Sequence, residues 1–392
     1  MKKVVITHAK RTPVGSFNGS LSSLSATQLG SIAIKAILDE SKIDPNLVDE
    51  VILGNILSAG LGQAPARQAA IYAGLPNKTE CLTINKMCGS GLKAIMLAHQ
   101  AIQAGDADII IAGGLESMSN APYLLKNARN GYRMGHGEIY DSMIMDGLWD
   151  VYNNIHMGSC AEACAKDMNF TRKELDDYAI MSYKRAQAAQ KEGKFNDEII
   201  PVTIKSRSGD LIVSKDDEPE KVNFEKIPTL KPPFDKNGVV TAANASKIND
   251  GAAAVLVMSE EKAKELGIKP IVEIVAQSSA AKAPIEFTTA PADAIKKVLA
   301  KANLKTTDID LYEINEAFAV VSLAVNKLLG LTTDNVNVNG GAIAIGHPIG
   351  ASGARIMATL LHEMKRRKSK YGLASLCIGG GEASALIVKL YE

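Results

Sequence analysis

Ala33-Ile-Lys-Ala-Ile-Leu38 recurs as Ala294-Ile-Lys-Lys-Val-Leu299. At the same offset of 261, Ile43 meets Leu304, Val48 meets Ile309 and Asp49 meets Asp310, so a helix, a turn and the approach to a strand return in one order. Further on, Ser90-Gly-Leu-Lys93 meets Ser352-Gly-Ala-Arg355 at offset 262, and Gly113-Gly-Leu-Glu116 meets Gly379-Gly-Gly-Glu382 at offset 266. Shared order with a slow drift in offset is the mark of two related halves separated by loop insertions.

Within each half the elements alternate. Val4-Val-Ile6, Val51-Ile-Leu53 and Asp108-Ile-Ile-Ile-Ala112 are short apolar runs suited to buried strands, and 89–104 carries a helical pattern closed by Gly105. Ile271-Val-Glu-Ile-Val275, Leu311-Tyr-Glu313 and Ala374-Ser-Leu-Cys-Ile378 repeat the rhythm, which predicts an α/β fold with a mainly parallel sheet in each half. Residues 120–245 break the repeat. There Thr171-x-x-Glu174 forms a capping box for a helix running to about Glu192, with Gly193 as its stop. The charged, proline-bearing stretch 203–238 reads as an irregular insertion on the surface of the first half, suited to covering a ligand. The expected division is an N-terminal half of 1–119 and 246–268, an inserted loop domain of 120–245 and a C-terminal half of 269–392.

Composition narrows the function. Of 392 residues 46% are hydrophobic and 22% charged, a globular balance, and 44 Lys plus Arg against 43 Asp plus Glu leave a net charge of +1. No broad basic surface for nucleic acid or anionic lipid is expected. No run approaches the ~18 apolar residues of a membrane span, and the opening run is too short for a signal-peptide core, so a cytoplasmic protein without membrane contact is expected. Five cysteines at positions 81, 88, 160, 164 and 377 make no disulfide framework and suit a reducing compartment.

Cys88 lies in Asn85-Lys-Met-Cys-Gly-Ser-Gly-Leu-Lys93, immediately before a helical pattern. A helix N-terminus favours an anion, so the position suits a nucleophilic thiolate, while a lone cysteine is more commonly core. The same segment matches a dinucleotide fingerprint, but the acidic residue that should hold a ribose at the next strand tip is missing. Asn339-Gly-Gly-Ala-Ile-Ala-Ile-Gly-His-Pro-Ile-Gly-Ala-Ser-Gly353 presents His347 between Gly346 and Pro348, suited to a general base, to a phosphate cradle, or to nothing but a turn. Cys377 ends a strand that opens into a glycine nest able to bind an oxyanion. Asn315-Glu-Ala-Phe318 follows another strand and says little alone. Cys160 and Cys164, at i and i+4, lack the partners of a zinc site and read as core, His99 and His362 as structural, and Trp149 as a packing anchor.

Together with Arg11-Thr-Pro13, Gly62-Gln-Ala-Pro-Ala-Arg67, Glu116-Ser-Met-Ser-Asn-Ala-Pro-Tyr123, His156-Met-Gly158 and Asn244-Ala-Ser246, these segments make the chain resemble the thiolases over nearly its full length. Most similar are the members that form acetoacetyl-CoA. The resemblance implies two copies of an α/β unit in a five-layered α-β-α-β-α arrangement with an inserted loop domain. It implies a reversible Claisen condensation of two acetyl-CoA to acetoacetyl-CoA and CoA through an acetyl-cysteine. In that scheme Cys88 is the nucleophile, His347 activates it, and Cys377 exchanges a proton with the second acetyl-CoA. Asn315 positions a water beside His347 at one oxyanion, and the N–H groups of Cys88 and Gly379 hold the other.

Coenzyme A contacts are implied at Ser246, His156, Met157, Leu148, Ala317, Phe318 and Lys221. No permanently bound cofactor and no metal are implied, and a homotetramer built as a dimer of dimers is. Four positions depart from the family pattern. Ala383 and Ala243 stand where glycine is usual, Lys247 where a small residue is, and Lys221 where an arginine often meets the nucleotide, without that residue's two-pronged fork. Competing readings are a broad-chain 3-oxoacyl-CoA thiolase of fatty-acid breakdown and a non-catalytic acyl-CoA-binding protein on the same fold.

Overall fold

The computed structural model describes residues 2–206 and 209–392. Strand β1 (Val4–Arg11) is followed by helix α1 (Ala26–Ser41), β2 (Glu50–Gly54), α2 (Pro65–Tyr72), β3 (Glu80–Ile84), α3 (Ser90–Ala104) and β4 (Ile109–Ser117). Helices α4 (Met157–Asp167) and α5 (Arg172–Lys191) come next, and then β5 (Asn249–Ser259) and α6 (Glu260–Glu265). The pattern returns as β6 (Val272–Ala281), α7 (Ala290–Ala302), β7 (Leu311–Ile314), α8 (Ala319–Leu329), α9 (Ser352–Arg367), β8 (Tyr371–Ile378) and β9 (Glu382–Leu390). The two copies of the hexapeptide lie in α1 and α7, and the matched serines Ser90 and Ser352 are the first residues of α3 and α9.

The strands form one ten-stranded sheet in the order β7-β8-β9-β6-β1-β5-β4-β2-β3, with the two-residue strand Gly15–Ser16 added on β5. The halves are mixed rather than mainly parallel. β2 pairs in parallel with β3 and β4, and β7 with β8, but β5 runs against β4 and β1, and β9 against β8 and β6. The βαβ rhythm accounts for the parallel pairs. The last strand of each half breaks it: β9 follows β8 through a tight glycine turn, which only antiparallel neighbours allow, and β5 takes the equivalent place after the insertion. The two half-sheets touch through a short antiparallel pairing of β1 with β6.

Three cores separate the layers. Leu92, Ile95 and Ile102 of α3 and Met357, Leu360 and Met364 of α9 fill the space between the two half-sheets. Leu29, Ile34 and Ile37 of α1 cover the outer face of the first, and Ile295 and Val298 of α7 with Val321 and Val325 of α8 the outer face of the second. Five layers result.

The insertion touches both halves. Ala161 of α4 and Leu175, Ala179 and Tyr183 of α5 pack on Val320 and Ala324 of α8. The helix α5 starts on the expected capping box, with Thr171 Oγ1 accepting from Glu174 N and Glu174 reaching back to Thr171 N. Of the stretch 203–238, residues 207 and 208 lie outside the described residues. Val202 and Val213 join the core of the first half, whereas Pro219 and Ile227 accept hydrogen bonds from Gln187 and Arg172 of α5. Arg11, fully buried, binds β1 to this region through Glu198 at 2.6 Å and Asp216 at 2.7 Å. Trp149, expected as a packing anchor, is instead 37% exposed and donates to Asn154 Oδ1.

Candidate active site

Helices α3 and α9 lie side by side between the half-sheets, so the loops entering them meet at one place. The loop into α3 is sharply bent. Ser90 Oγ accepts from Lys86 N and donates to Met87 O, and Met87 adopts φ +44, a left-handed conformation that a side chain of this size rarely takes. Cys88 follows at once, held out of the helix. A Cβ at Gly89 would sit 2.3 Å from Ile378 Cδ1, so this loop and the end of the strand Tyr371–Ile378 approach closely.

Opposite stands the end of β8. Cys377 is buried, and the glycine turn after it aims the Gly379 N–H at the Cys88 sulfur, together with the N–H of Cys88 itself. Gly380 and Gly381 both take φ +91, which supplies the tight reversal into β9. Ala383 lies beyond that turn, paired in β9 with Cys377 and Ala280, so alanine there brings no left-handed strain. Ala243 likewise has no positive φ.

His347 comes from the loop into α9. Gly346 at φ +119 leaves room for Asn249, whose Oδ1 accepts from His347 N at 2.8 Å. The ring is oriented by its hydrogen bonds. Ser352 Oγ donates to Pro348 O at 2.9 Å, so in its 2.6 Å contact with His347 Nδ1 it accepts. The proton therefore resides on Nδ1 and the lone pair on Nε2, the atom that Asn315 Nδ2 approaches at 3.4 Å. Asn315 Oδ1 is buried and has no hydrogen-bond partner among the described residues.

Burial sets the protonation states. It pushes the Cys88 thiol up to about 11 despite the two N–H groups, with the Glu116 charge adding to the rise. The Cys377 thiol is also raised, by burial and then by the neighbouring Cys88. His347 is pushed down to about 3 by burial and then by Arg355. Burial of the sulfur thus opposes the thiolate that the helix end and the two N–H groups favour.

A cavity of about 450 Å³ opens from these groups toward the insertion. Cys88, His347 and Gly379 line it together with Ser246, His156, Met157, Leu148, Ala317 and Phe318. His156 caps α4, accepting at Nδ1 from Gly158 N, and its ring stacks on Phe234 at 4.7 Å. Ser246 N donates to Ala317 O, which ties the wall to the second half. Cys377 and Asn315 are not among the residues that line it. Lys221 does not line the cavity; its ammonium donates to Ser16 Oγ at 2.5 Å and faces Asp217 at 3.8 Å, and Ser16 is the residue at the wall.

Sequence reasoning missed Phe234, Phe287, Met118, Ile349 and Glu218, all at the wall. Pro232-Pro233 before Phe234 was the one local signal, a rigid stretch that fixes a ring. It also missed Glu116, a buried carboxylate inside β4, because that strand runs on to Ser117 rather than ending at Ala112.

Residues 4–261 match the thiolase N-terminal domain and residues 268–390 the thiolase C-terminal domain. The chain belongs to the thiolase family. Among curated thiolases it is 55% identical over 391 residues to the acetyl-CoA acetyltransferase of Cupriavidus necator, covering 99% of this chain and 100% of that one. It is 52% identical to the mitochondrial acetyl-CoA acetyltransferase of Bos taurus, over 99% and 92%. The Acat5 thiolase of Ascaris suum, solved in complex with coenzyme A, superposes with a TM-score of 0.94 at 45% identity over the whole of both chains. The acetyl-CoA acetyltransferase of Bacillus anthracis superposes with a TM-score of 0.98 at 44% identity, over 100% of this chain and 99% of that one. The five-layered duplicated fold is that of these thiolases.

Proposed function

We propose that this thiolase is an acetyl-CoA C-acetyltransferase, condensing two acetyl-CoA into acetoacetyl-CoA and CoA. The observation that carries the reading is Cys88, with the Gly379 N–H at its sulfur, lining one cavity with His347.

Cys88 attacks the thioester carbonyl as its proton passes to His347 Nε2. A carbon–sulfur bond forms to Cys88, and the carbon–sulfur bond to CoA breaks. Cys377 gives its proton to the departing CoA thiolate and becomes a thiolate facing the imidazolium of His347. The Cys377 thiolate then takes a methyl proton from the second acetyl-CoA, and the carbanion attacks the acetyl-Cys88 carbonyl. A carbon–carbon bond forms, the bond to Cys88 breaks, and His347 returns the proton to that sulfur. Covalent transfer thereby divides one difficult step into two.

Both tetrahedral states place charge on oxygen. The N–H groups of Cys88 and Gly379 serve one; His347 Nε2 and a water held by the unpartnered Oδ1 of Asn315 serve the other. Ser246, His156, Met157, Leu148, Ala317 and Phe318 make the channel for the pantetheine arm, with the insertion 120–245 as its cover. Lys221 serves the nucleotide end through Ser16. A homotetramer is supported by the exposed Tyr123, Leu125, Met134 and Ile139 of the insertion, and a reducing cytoplasmic setting by the five free cysteines.

Brief mixing with acetyl-CoA followed by peptide mass spectrometry tests the reading. One acetyl group on the Cys88 peptide is expected. An unmodified Cys88, or faster thiolysis of 3-oxo-octanoyl-CoA than of acetoacetyl-CoA, would overturn it in favour of a non-catalytic or a broad-chain protein.

A further inference from the structure

Lys247 is the position at the cavity wall where this chain carries a long cation in place of a small residue. The ammonium turns back and donates to the carbonyls of Ala242 and Ala245, the second at 3.1 Å, and lies 5.7 Å from the centre of the Tyr183 ring. The loop it clasps is the one that carries Ser246.

Two other attachments hold that loop. Asn244 Nδ2 donates to Asp176 of α5, and Ser246 N and Asn244 O pair with Ala317 O and Ala319 N of the second half. The stretch 242–245 thus bridges the insertion and the second half, and the ammonium sits at its centre. No direct carboxylate bond offsets the burial of that charge: Glu218 is the facing acid, Tyr183 the facing phenol. Burial accordingly pulls Lys247 down to about 8, with Glu218 opposing.

We propose that Lys247 is a positioning residue for coenzyme A: its ammonium, bound by the Ala242 and Ala245 carbonyls, fixes the loop that presents Ser246 to the pantetheine arm. The inference rests on the functional reading above and deepens it.

The sign of the charge effect separates this role from a merely structural one. With a folded value below the ordinary 10.5, the group binds fewer protons in the folded than in the unfolded protein between about pH 8 and 10.5, so its burial costs stability below that window, a cost relieved as pH rises through it. A neutral isostere should therefore leave folding intact while weakening ligand binding.

The test is calorimetric titration of wild type, Lys247→Met and Lys247→Arg with CoA and with dephospho-CoA, alongside acetoacetyl-CoA thiolysis kinetics and thermal melting. Lys247→Met is expected to bind both ligands about tenfold more weakly, the loss of charge-assisted bonds to two carbonyls, with the kinetic loss falling on KM more than kcat and no drop in melting temperature at pH 7. Lys247→Arg should bind more tightly than Lys247→Met. Wild-type affinity should weaken between pH 7 and 9 and that of Lys247→Met should not. Wild-type affinity for CoA in Lys247→Met, or a loss confined to CoA over dephospho-CoA, would overturn the proposal, the latter in favour of a direct phosphate contact. If wild type turns over acetoacetyl-CoA, either result removes only the role of Lys247; if it does not, the functional reading itself falls.

Discussion

Glu116 Oε2 accepts the backbone N–H of Gly350 at 3.0 Å, so a carboxylate inside a strand of the first half holds the loop that carries His347 of the second. The same carboxylate accepts from Asn55 Nδ2, Ile56 N and Leu57 N, which makes it a knot between three segments around the site. Burial pushes it up to about 7, with those N–H groups opposing.

Replacing Glu116 by Gln puts an amide donor among N–H donors, so a loss of about 1–3 kcal/mol in stability and a fall in kcat are expected. A second effect concerns pH. A carboxyl whose folded value lies above its ordinary 4.5 holds more protons folded than unfolded, so its contribution to stability is lost as pH rises from 4.5 to about 7. Urea unfolding at pH 5 and 7.5 should show that loss in wild type and a smaller one in Glu116→Gln; equal differences would show that Glu116 is not the group titrating.

His347 gives the opposite sign. Its folded value is depressed from 6.5 to about 3, so the stability it contributes is fully present above 6.5 and falls as pH drops. Between pH 6.5 and 5 that amounts to about 2 kcal/mol. His347→Asn should show an acid limb shallower by this amount in unfolding experiments, alongside nearly complete loss of Cys88 acetylation. An unchanged limb would mean that the ring is solvated in the native protein.

Gly89→Ala probes how closely the two loops approach. The added Cβ would fall 2.3 Å from Ile378 Cδ1 and 2.8 Å from Cγ1, displacing the strand end next to Cys377. Removal of a well-placed oxyanion donor costs about 10²–10³ in rate, and a shift of Gly379 away from Cys88 should cost at least tenfold in kcat. Gly380→Ala, open in space and strained only by its φ of +91, should lose stability but much less activity. A Gly89→Ala variant that keeps the wild-type kcat would argue that the 379–381 turn tolerates movement.

Much of this was legible in the chain itself. Cys88 before an apolar helical pattern, His347 between glycine and proline and Cys377 before three glycines are local features, and each reads from its neighbours. The relation between the halves was legible because whole elements recur in order. What escaped depends on the rest of the molecule. The direction of β5 and β9 follows from where the chain returns to the sheet, not from the alternation of elements. The ionisation of Cys88 depends on how much water the surrounding halves exclude, which no helix-end argument contains. Glu116 lies past the apolar run 108–112, and nothing in Gly113-Gly-Leu-Glu116 tells that the strand continues.

The return of β5 carries a consequence for synthesis. Val4 pairs with Ser259 and Arg11 with Ala253, so even the first strand-partner of β1 leaves the ribosome some 250 residues after it. Until then β1 and β4 present unpaired edges, with the nucleophile loop already made between them. Contacts of such long sequence separation form slowly and leave sticky edges exposed to other chains in the meantime. A nascent chain of this thiolase truncated before residue 249 would therefore be a client for holding chaperones, and catalytic competence would arise later still, once His347 and Cys377 have been made.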